Sequence, residues 1–503
     1  MTRAIKLPGL FLLIFLYANC NMPGQQSIPT AYFFTQNNVS DYRISPDGVF
    51  VSYVKRKNEV TNIFVKNIVS GYSAQITYLK IGNIKSYYWA NDNTIFYISS
   101  KPDGESLYYV NTKGRGNYKT LNANSISFID SKLWYNKFIL LSLKKHGEQT
   151  KQAYSVNIAT WKPTLIAGYK GSYKQFLNAN NADIIKAIKK CLNPSYFDII
   201  DNDAKNNFYI LKTYSDRQKD AFYLYNKTKN TCDLLSDNEA ITPSNLCETK
   251  PVQFSKTSGK AVYGFLTLPK SGTINLPTVI IPYANSNSKN NLGFVPEVQF
   301  LAHKGYAVLQ IKSTLNVGYS NEAKKNDLKK WVFAMQADII VATKWLIKKQ
   351  IANPSNIGIY GTGFGGFIAL NAAYQKPQIF KCAAAYSGIN NLFTYLKEHN
   401  TASIYQYLLY NTKKKSLNEA SFIRNFSPVF NTDKINIPLF IAQGGKDNLI
   451  SVNETNDFVK ILRKRNIKIK YLVKDEEGHT FKNKENIIEL YNNLDNFFKQ
   501  NLN

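Results

Sequence analysis

The hydrophobic period of the chain changes near Pro251, and that change calls for two domains of different class. From residue 31 to about residue 235, apolar and polar residues alternate in short runs broken by Asp-Gly, Asn and Ser, the punctuation of strands and turns. A repeat runs through this half. VFVSYVKRKNEVTNIFVKN ends at Asn67, NTIFYISSKPDGESLYYVN at Asn111, NKFILLSLKKHGEQTKQAYSVN at Asn157 and NNFYILKTYSDRQKDAFYLYN at Asn226. Each unit reads as an apolar strand, a polar turn, an aromatic-rich strand and a closing Asn. The first two steps, 44 and 46 residues, lie in the ~40–50 range of four-stranded propeller blades. The last step, 69 residues, is too long for one blade, so a degenerate blade or an insertion is expected over residues 165 to 200. About 200 residues allow roughly four to five blades in a ring that hides its sheet edges; an open array of strands sharing the same turn chemistry is the alternative.

Beyond Pro251 the runs AVYGFLTLP, PTVIIPY, YAVLQIK, NIGIYG, KCAAAYSG, PLFIAQG and KIKYLV read as strands. Helical spacing intervenes, clearest in Val332, Met335, Ile339, Ala342, Trp345 and Leu346, and again in Ile487, Leu490, Leu494 and Phe497. Strands alternating with helices imply a mainly parallel sheet covered on both faces. Their order is that of an α/β-hydrolase. The expected domains are therefore a shortened, all-β propeller over 31–235, a linker over 236–252 and an α/β-hydrolase domain over 253–503.

In such a domain the chemistry sits where a strand turns sharply into a helix, within Gly-x-Ser-x-Gly. The corresponding segment is IGIYGTGFGGFIALNAAY, with Gly361 and Gly365 in place and Gly363 at the nucleophile position. Glycine has no side chain with which to attack. QGGKDNLIS places Asp447 in the loop of the orienting acid, and DEEGHTF places His479 in the loop of the general base, which preserves the chain order nucleophile, acid, base. Thr362 is adjacent to the elbow but is expected to project away from the nucleophile's direction. Ser387, in AAYSGI, is expected to be a packing residue.

Residues 250 to 503 resemble the catalytic domain of the prolyl oligopeptidase family of serine peptidases, in the branch of acylaminoacyl peptidases and dipeptidyl aminopeptidases. The resemblance rests on KPVQFSKTSGKAVYGFLTLP, VQFLAHKGYAVLQIK, MQADIIVATKWLIKKQIANPSNIGIYG and DEEGHTF; TYSDRQKDAFYLYNKTKN and ISPDGVFVSYV resemble blades of that family's propeller. The resemblance implies cleavage of short peptides through an acyl-enzyme, without metal or cofactor, beneath a propeller that admits only small or unfolded peptides. The departures gather at the reaction centre. GTGFGG stands for Gly-x-Ser-Tyr-Gly-Gly, with Phe364 where Tyr is usual. Tyr283, Ala284, Asn285 and Ser286 stand for His-Gly-Gly-Pro beside the oxyanion site. KSTLNVGYS keeps only Gly318 and Tyr319 of a glycine-rich turn, and an Asp pair is reduced to Ala337 and Asp338. The oxyanion donors left are the Phe364 backbone N–H and, weakly, the Tyr283 loop. The expectation is an inactive pseudopeptidase that binds peptides or acts as a scaffold; the alternative is an active serine-type hydrolase of short peptides or aminoacyl esters with a substitute nucleophile.

The N-terminus, MTRAIKLPGLFLLIFLYANC, pairs Arg3 and Lys6 with an apolar run too short to span a bilayer, as in a secretory signal over residues 1–20. A Cys closing such a run resembles a bacterial lipoprotein box, so Cys20 is the candidate lipid anchor and the cell envelope, periplasm or outer membrane the expected address. Cys191, Cys232, Cys247 and Cys382 match no zinc spacing and read as buried thiols, with Cys232 and Cys247 the pair nearest in sequence. The chain carries 63 Lys and Arg against 34 Asp and Glu, a net charge of +29. The Lys residues are scattered, with no Arg-rich helix or basic tail, so no nucleic-acid partner is expected. Contact with a membrane is expected only through the anchor.

Overall fold

The computed structural model describes residues 28–502 apart from 36–37, 58–59, 102–103, 115–117, 130–137, 146, 148–150, 158–159, 161, 167–181, 193, 195, 236–242, 257–258, 260, 284–292, 313–326 and 399–416. The expected export signal, Cys20 included, lies outside the described residues. Among the described residues no helix is long and apolar enough to cross a membrane.

A five-residue helix, α1 (Thr30–Phe34), precedes four antiparallel four-stranded sheets. Blade 1 is β1 (Val39–Ile44), β2 (Phe50–Lys57), β3 (Val60–Asn67) and β4 (Ser73–Gln75); blade 2 is β5 (Asn83–Asn91), β6 (Thr94–Lys101), β7 (Gly104–Asn111) and β8 (Tyr118–Ala123). Blade 3 is β9 (Ser125–Phe128), β10 (Phe138–Lys144), β11 (Gln152–Asn157) and β12 (Pro163–Leu165). Blade 4 is β13 (Tyr196–Asn202), β14 (Phe208–Ser215), β15 (Gln218–Asn226) and β16 (Thr231–Leu234). Each sequence repeat is thus the central hairpin of a sheet.

The closing Asn has a physical job. Its side-chain oxygen accepts backbone N–H groups of the turn that follows: Val69 and Ser70 at Asn67, Lys113 at Asn111, Thr160 at Asn157 and Lys229 at Asn226. Apolar cores fill the spaces between blades 4 and 1, 1 and 2, and 2 and 3. The long third step holds a helix, α2 (Ala182–Leu192), which lays Ile184 and Ile188 over Tyr209, Leu211 and Tyr225 on the remaining face of blade 4.

The second domain is one eight-stranded sheet in the order β17-β18-β20-β19-β21-β22-β23-β24. Its strands are β17 (Thr249–Ser255), β18 (Ala261–Thr267), β19 (Leu276–Tyr283), β20 (Ala307–Lys312), β21 (Ala352–Thr362), β22 (Cys382–Tyr386), β23 (Leu439–Gly444) and β24 (Ile469–Lys474). The first two strands are antiparallel and the rest run parallel. The sheet therefore begins at Thr249, inside the stretch expected as linker. Six further described helices follow: α3 (Pro296–His303), α4 (Asp327–Lys348), α5 (Phe364–Gln375), α6 (Leu392–Glu398), α7 (Leu417–Phe426) and α8 (Val452–Lys464); α9 (Lys484–Leu502) closes the chain. Helix α5 is apolar nearly all round and buried from Gly365 to Tyr374, as a helix at the centre of a domain must be. It lies on β22, CAAAY, whose alanines let helix and sheet approach closely.

Side-chain clamps join the domains. Gln299 on α3 accepts the Cys247 N–H at 3.0 Å and donates to the carbonyls of Cys247 and Asp216 at 2.7 and 3.0 Å. Lys219 on β15 donates to the carbonyls of Tyr32 and Thr35, at 2.7 and 2.8 Å, while Phe34 of the same segment stacks on Tyr491 of α9 at 3.8 Å. Because Gln299 is 1% exposed, Gln299→Leu strands a buried backbone N–H and two carbonyls. Loss of about 1–3 kcal/mol of unfolding free energy is expected, read by denaturant unfolding; an unchanged midpoint would remove this clamp from the account.

Candidate active site

The site is built at the C-terminal ends of β21, β23 and β24, where three connections meet backbone against backbone. At the first, β21 turns into α5 through Gly363, at φ 52° and ψ −117°, a conformation that L side chains rarely adopt. The flanking glycines are steric requirements. A Cβ on Gly361 would fall 2.1 Å from the carbonyl carbon of Gly365, and one on Gly365 would fall 2.8 Å from the oxygen of Pro282. The Gly363 N–H donates to the Tyr386 carbonyl at 3.0 Å, and its own carbonyl accepts the Phe367 N–H, opening the helix. Phe364 is thereby the first residue of α5, which puts its backbone N–H at the positive end of the helix.

The second connection follows β23. The Asp447 side chain is fully buried, and Oδ1 accepts the N–H groups of Leu449 and Ile450 at 2.8 and 3.0 Å. Oδ2 accepts the Gln443 amide at 2.8 Å and meets Nδ1 of His479 at 2.9 Å. Burial alone would push this carboxyl up, but the hydrogen bonds from His479, Leu449 and Ile450 outweigh it and hold the group below the ordinary carboxylate value. Oδ2 so close to Nδ1 orients the imidazole with Nε2 turned to the elbow. An ideal Cβ on Gly363 would lie 3.5 Å from that Nε2, and among the described residues beyond its two chain neighbours only His479 Cε1 is also within 4 Å.

The third connection, after β24, carries His479 and is held at both ends. Glu477, 4% exposed, accepts the N–H groups of Lys482 and Asn483 and the side chain of Asn486. A Cβ on Gly444 would collide with the Gly478 oxygen at 2.1 Å, so the two loops touch only because Gly444 is glycine. Ser387, at φ 47°, donates its hydroxyl to the backbone oxygen of His479 at 2.8 Å. The Tyr386 hydroxyl accepts the Phe481 N–H, and burial pushes that phenol's pKa up.

The structure thus brings Gly363, Phe364, Asp447 and His479 together. Tyr283 ends β19 next to Pro282, whose oxygen abuts Gly365, and so reaches the same corner; its side chain and residues 284–292 lie outside the described residues. Thr362 is an exposed residue at the end of β21. Asp338 pairs with Lys256 from a fully buried position and belongs to the packing of α4. Three positioning residues were missed from sequence: Gln443, Tyr386 and Glu477. The available signals were position alone, a Tyr closing the strand beside the elbow strand and an acid two residues before the His. Among the described residues, no three His, Cys, Asp or Glu side chains gather around a common point.

A cavity of about 440 Å³ begins one residue beyond His479, at Thr480 and Phe481. It runs between the domains, walled by Phe34 and Phe294 and reaching Lys219 and Phe222 of blade 4.

Residues 293–503 match the model of the prolyl oligopeptidase family, Peptidase_S9. Dipeptidyl aminopeptidase BIII of Pseudoxanthomonas mexicana is 26% identical over 280 residues, 53% of this chain and 40% of that protein. The inactive dipeptidyl peptidase 10 of Mus musculus is 25% identical over 147 residues, 29% of this chain and 17% of that protein. The chain therefore aligns with less than half the length of these relatives. The solved acylaminoacyl peptidase of Pyrococcus horikoshii has the same fold over 92% of this chain and 89% of its own, with a TM-score of 0.61 at 14% identity. The architecture is accordingly a propeller-like β domain followed by an α/β-hydrolase domain, and residues 293–503 of the latter are similar to the prolyl oligopeptidase family.

Two measurements test the site's construction. Gly363→Ala fits the space but must hold a positive φ, and about 1–3 kcal/mol of destabilisation is expected; no loss would mean a relaxed elbow. Asp447 has a folded-state pKa below its unfolded one, so its contribution is complete above the unfolded value and disappears as pH falls through the folded one. The stability gap between wild type and Asp447→Asn should be widest near neutrality and shrink below about pH 4. A gap that widens on acidification would contradict this arrangement.

Proposed function

We propose that this prolyl oligopeptidase-family homologue is a catalytically inactive pseudopeptidase that binds short peptides or serves as a scaffold. The observation that carries the reading is the direction of the absent Cβ at Gly363, 3.5 Å from Nε2 of His479. An imidazole set up to take a proton faces a backbone carbon with no O–H to give one. Acyl transfer through the enzyme needs a side-chain nucleophile in hydrogen-bond reach of its base. The Ser387 hydroxyl is directed instead at the carbonyl of His479, and Thr362 lies on the exposed end of its strand. The similarity to a protein named inactive dipeptidyl peptidase 10 supports the same conclusion.

The ligand class follows from the inter-domain cavity beside Thr480. Walls that include Phe34, Phe294 and Phe481 suit the apolar side chains of a short peptide. We place the protein in the bacterial cell envelope, exported and anchored through Cys20 as its N-terminal sequence suggests. Purified protein should release no product from aminoacyl esters or short peptides above the buffer rate. Turnover that disappears in His479→Ala would overturn the reading, since it would require a working base and a nucleophile beside it.

A further inference from the structure

Helix α2 breaks the blade repeat, and its last turn presents Cys191 to the outermost strand of blade 4. The Cys191 Sγ lies 3.8 Å from the carbonyl oxygen of Asn230, two residues before Cys232 on β16. Helix α2 packs directly against β16, so Cys191 and Cys232 lie at the same seam between helix and strand. Across the ladder Cys232 pairs with Tyr225, and it packs on the same cluster that α2 covers with Ile184 and Ile188. Both thiols are partly exposed, whereas Cys247 and Cys382 are buried in the hydrolase core. The fold therefore pairs Cys232 with Cys191 across 40 intervening residues, not with Cys247, its nearer neighbour in sequence.

We infer that Cys191 and Cys232 form a reversible disulfide that fastens α2 onto blade 4. The oxidant is a disulfide, either a small molecule or a protein. One thiolate of the pair attacks one of its sulfurs, the first thiol leaves, and the other thiolate of the pair then displaces the second from the mixed disulfide. The cysteine pair loses two electrons, the oxidant's S–S bond takes them, and the two protons end on the two thiols released. Burial, followed by the neighbouring Cys191 thiol, pushes the Cys232 thiol's pKa up. The bond would hold the helix that covers an otherwise unpacked blade face, and would close a long loop in the unfolded chain.

The test uses the full chain, incubated with oxidised glutathione, alkylated under denaturing conditions and mapped by peptide mass. A cross-linked peptide joining Cys191 to Cys232 is expected, reversed by dithiothreitol. The unfolding midpoint should rise by roughly 5–15 °C on oxidation. Cys191→Ser and Cys232→Ser should each abolish both effects. Full alkylation of both residues, glutathione adducts without a cross-link, or a bridge from Cys232 to Cys247 would overturn the inference. The wild-type map decides the matter even if a variant fails to fold.

Discussion

The site depends on close backbone approach at the carboxyl ends of β21 and β23. Gly361, Gly365 and Gly444 each stand where a Cβ would overlap a neighbouring main chain by more than any side chain could yield. Remove that closeness and the three loops separate, taking the Asp447 carboxylate and the His479 ring away from the elbow. Hydrogen bonds then fix what packing has brought together: four donors on Asp447, three on Glu477, and the Tyr386 hydroxyl on the His479 loop. All but the Leu449 bond are buried or partly buried, so losing any of those partners would leave a desolvated group behind. These contacts hold Asp447 and His479 beside Gly363, a position that carries no hydroxyl.

Some of this was legible in the sequence because the signal is local. The closing Asn of each repeat is visible because one side chain has to satisfy the next turn, and the structure gives all four that role. The elbow glycines, Asp447 and His479 are legible because each follows its strand directly. What was hidden depends on partners distant in sequence. β17 reads as linker because it is an edge strand with Phe254 alone fully buried. Gln299, Gln443, Tyr386 and Glu477 are ordinary residues until the fold supplies their acceptors and donors. Helix α2 repeats Ile184, Ile188 and Leu192 at helical spacing, but sits in a stretch whose length alone allows either a degenerate blade or an insertion.

The first domain departs from a simple ring of sheets in an informative way. Blades 4, 1, 2 and 3 pack in that order through three apolar cores, and a helix covers the remaining face of blade 4. An amphipathic helix can bury an apolar sheet face without presenting another sheet edge, which reconciles a short blade array with the need to cover its end. The same array meets the hydrolase domain through Asp216, Lys219 and the α1 segment. The inter-domain cavity and the histidine loop therefore share one boundary, and a peptide held there would lie beside that loop.

The central claim is that only the nucleophile is missing from a preorganised triad. A serine-reactive phosphonate applied to wild type and to Gly363→Ser, with mass mapping of the adduct, tests it most directly. No label on the wild type and a stoichiometric label at position 363 of the variant are expected. A labelled wild type, or a folded variant that takes no label, would contradict the account.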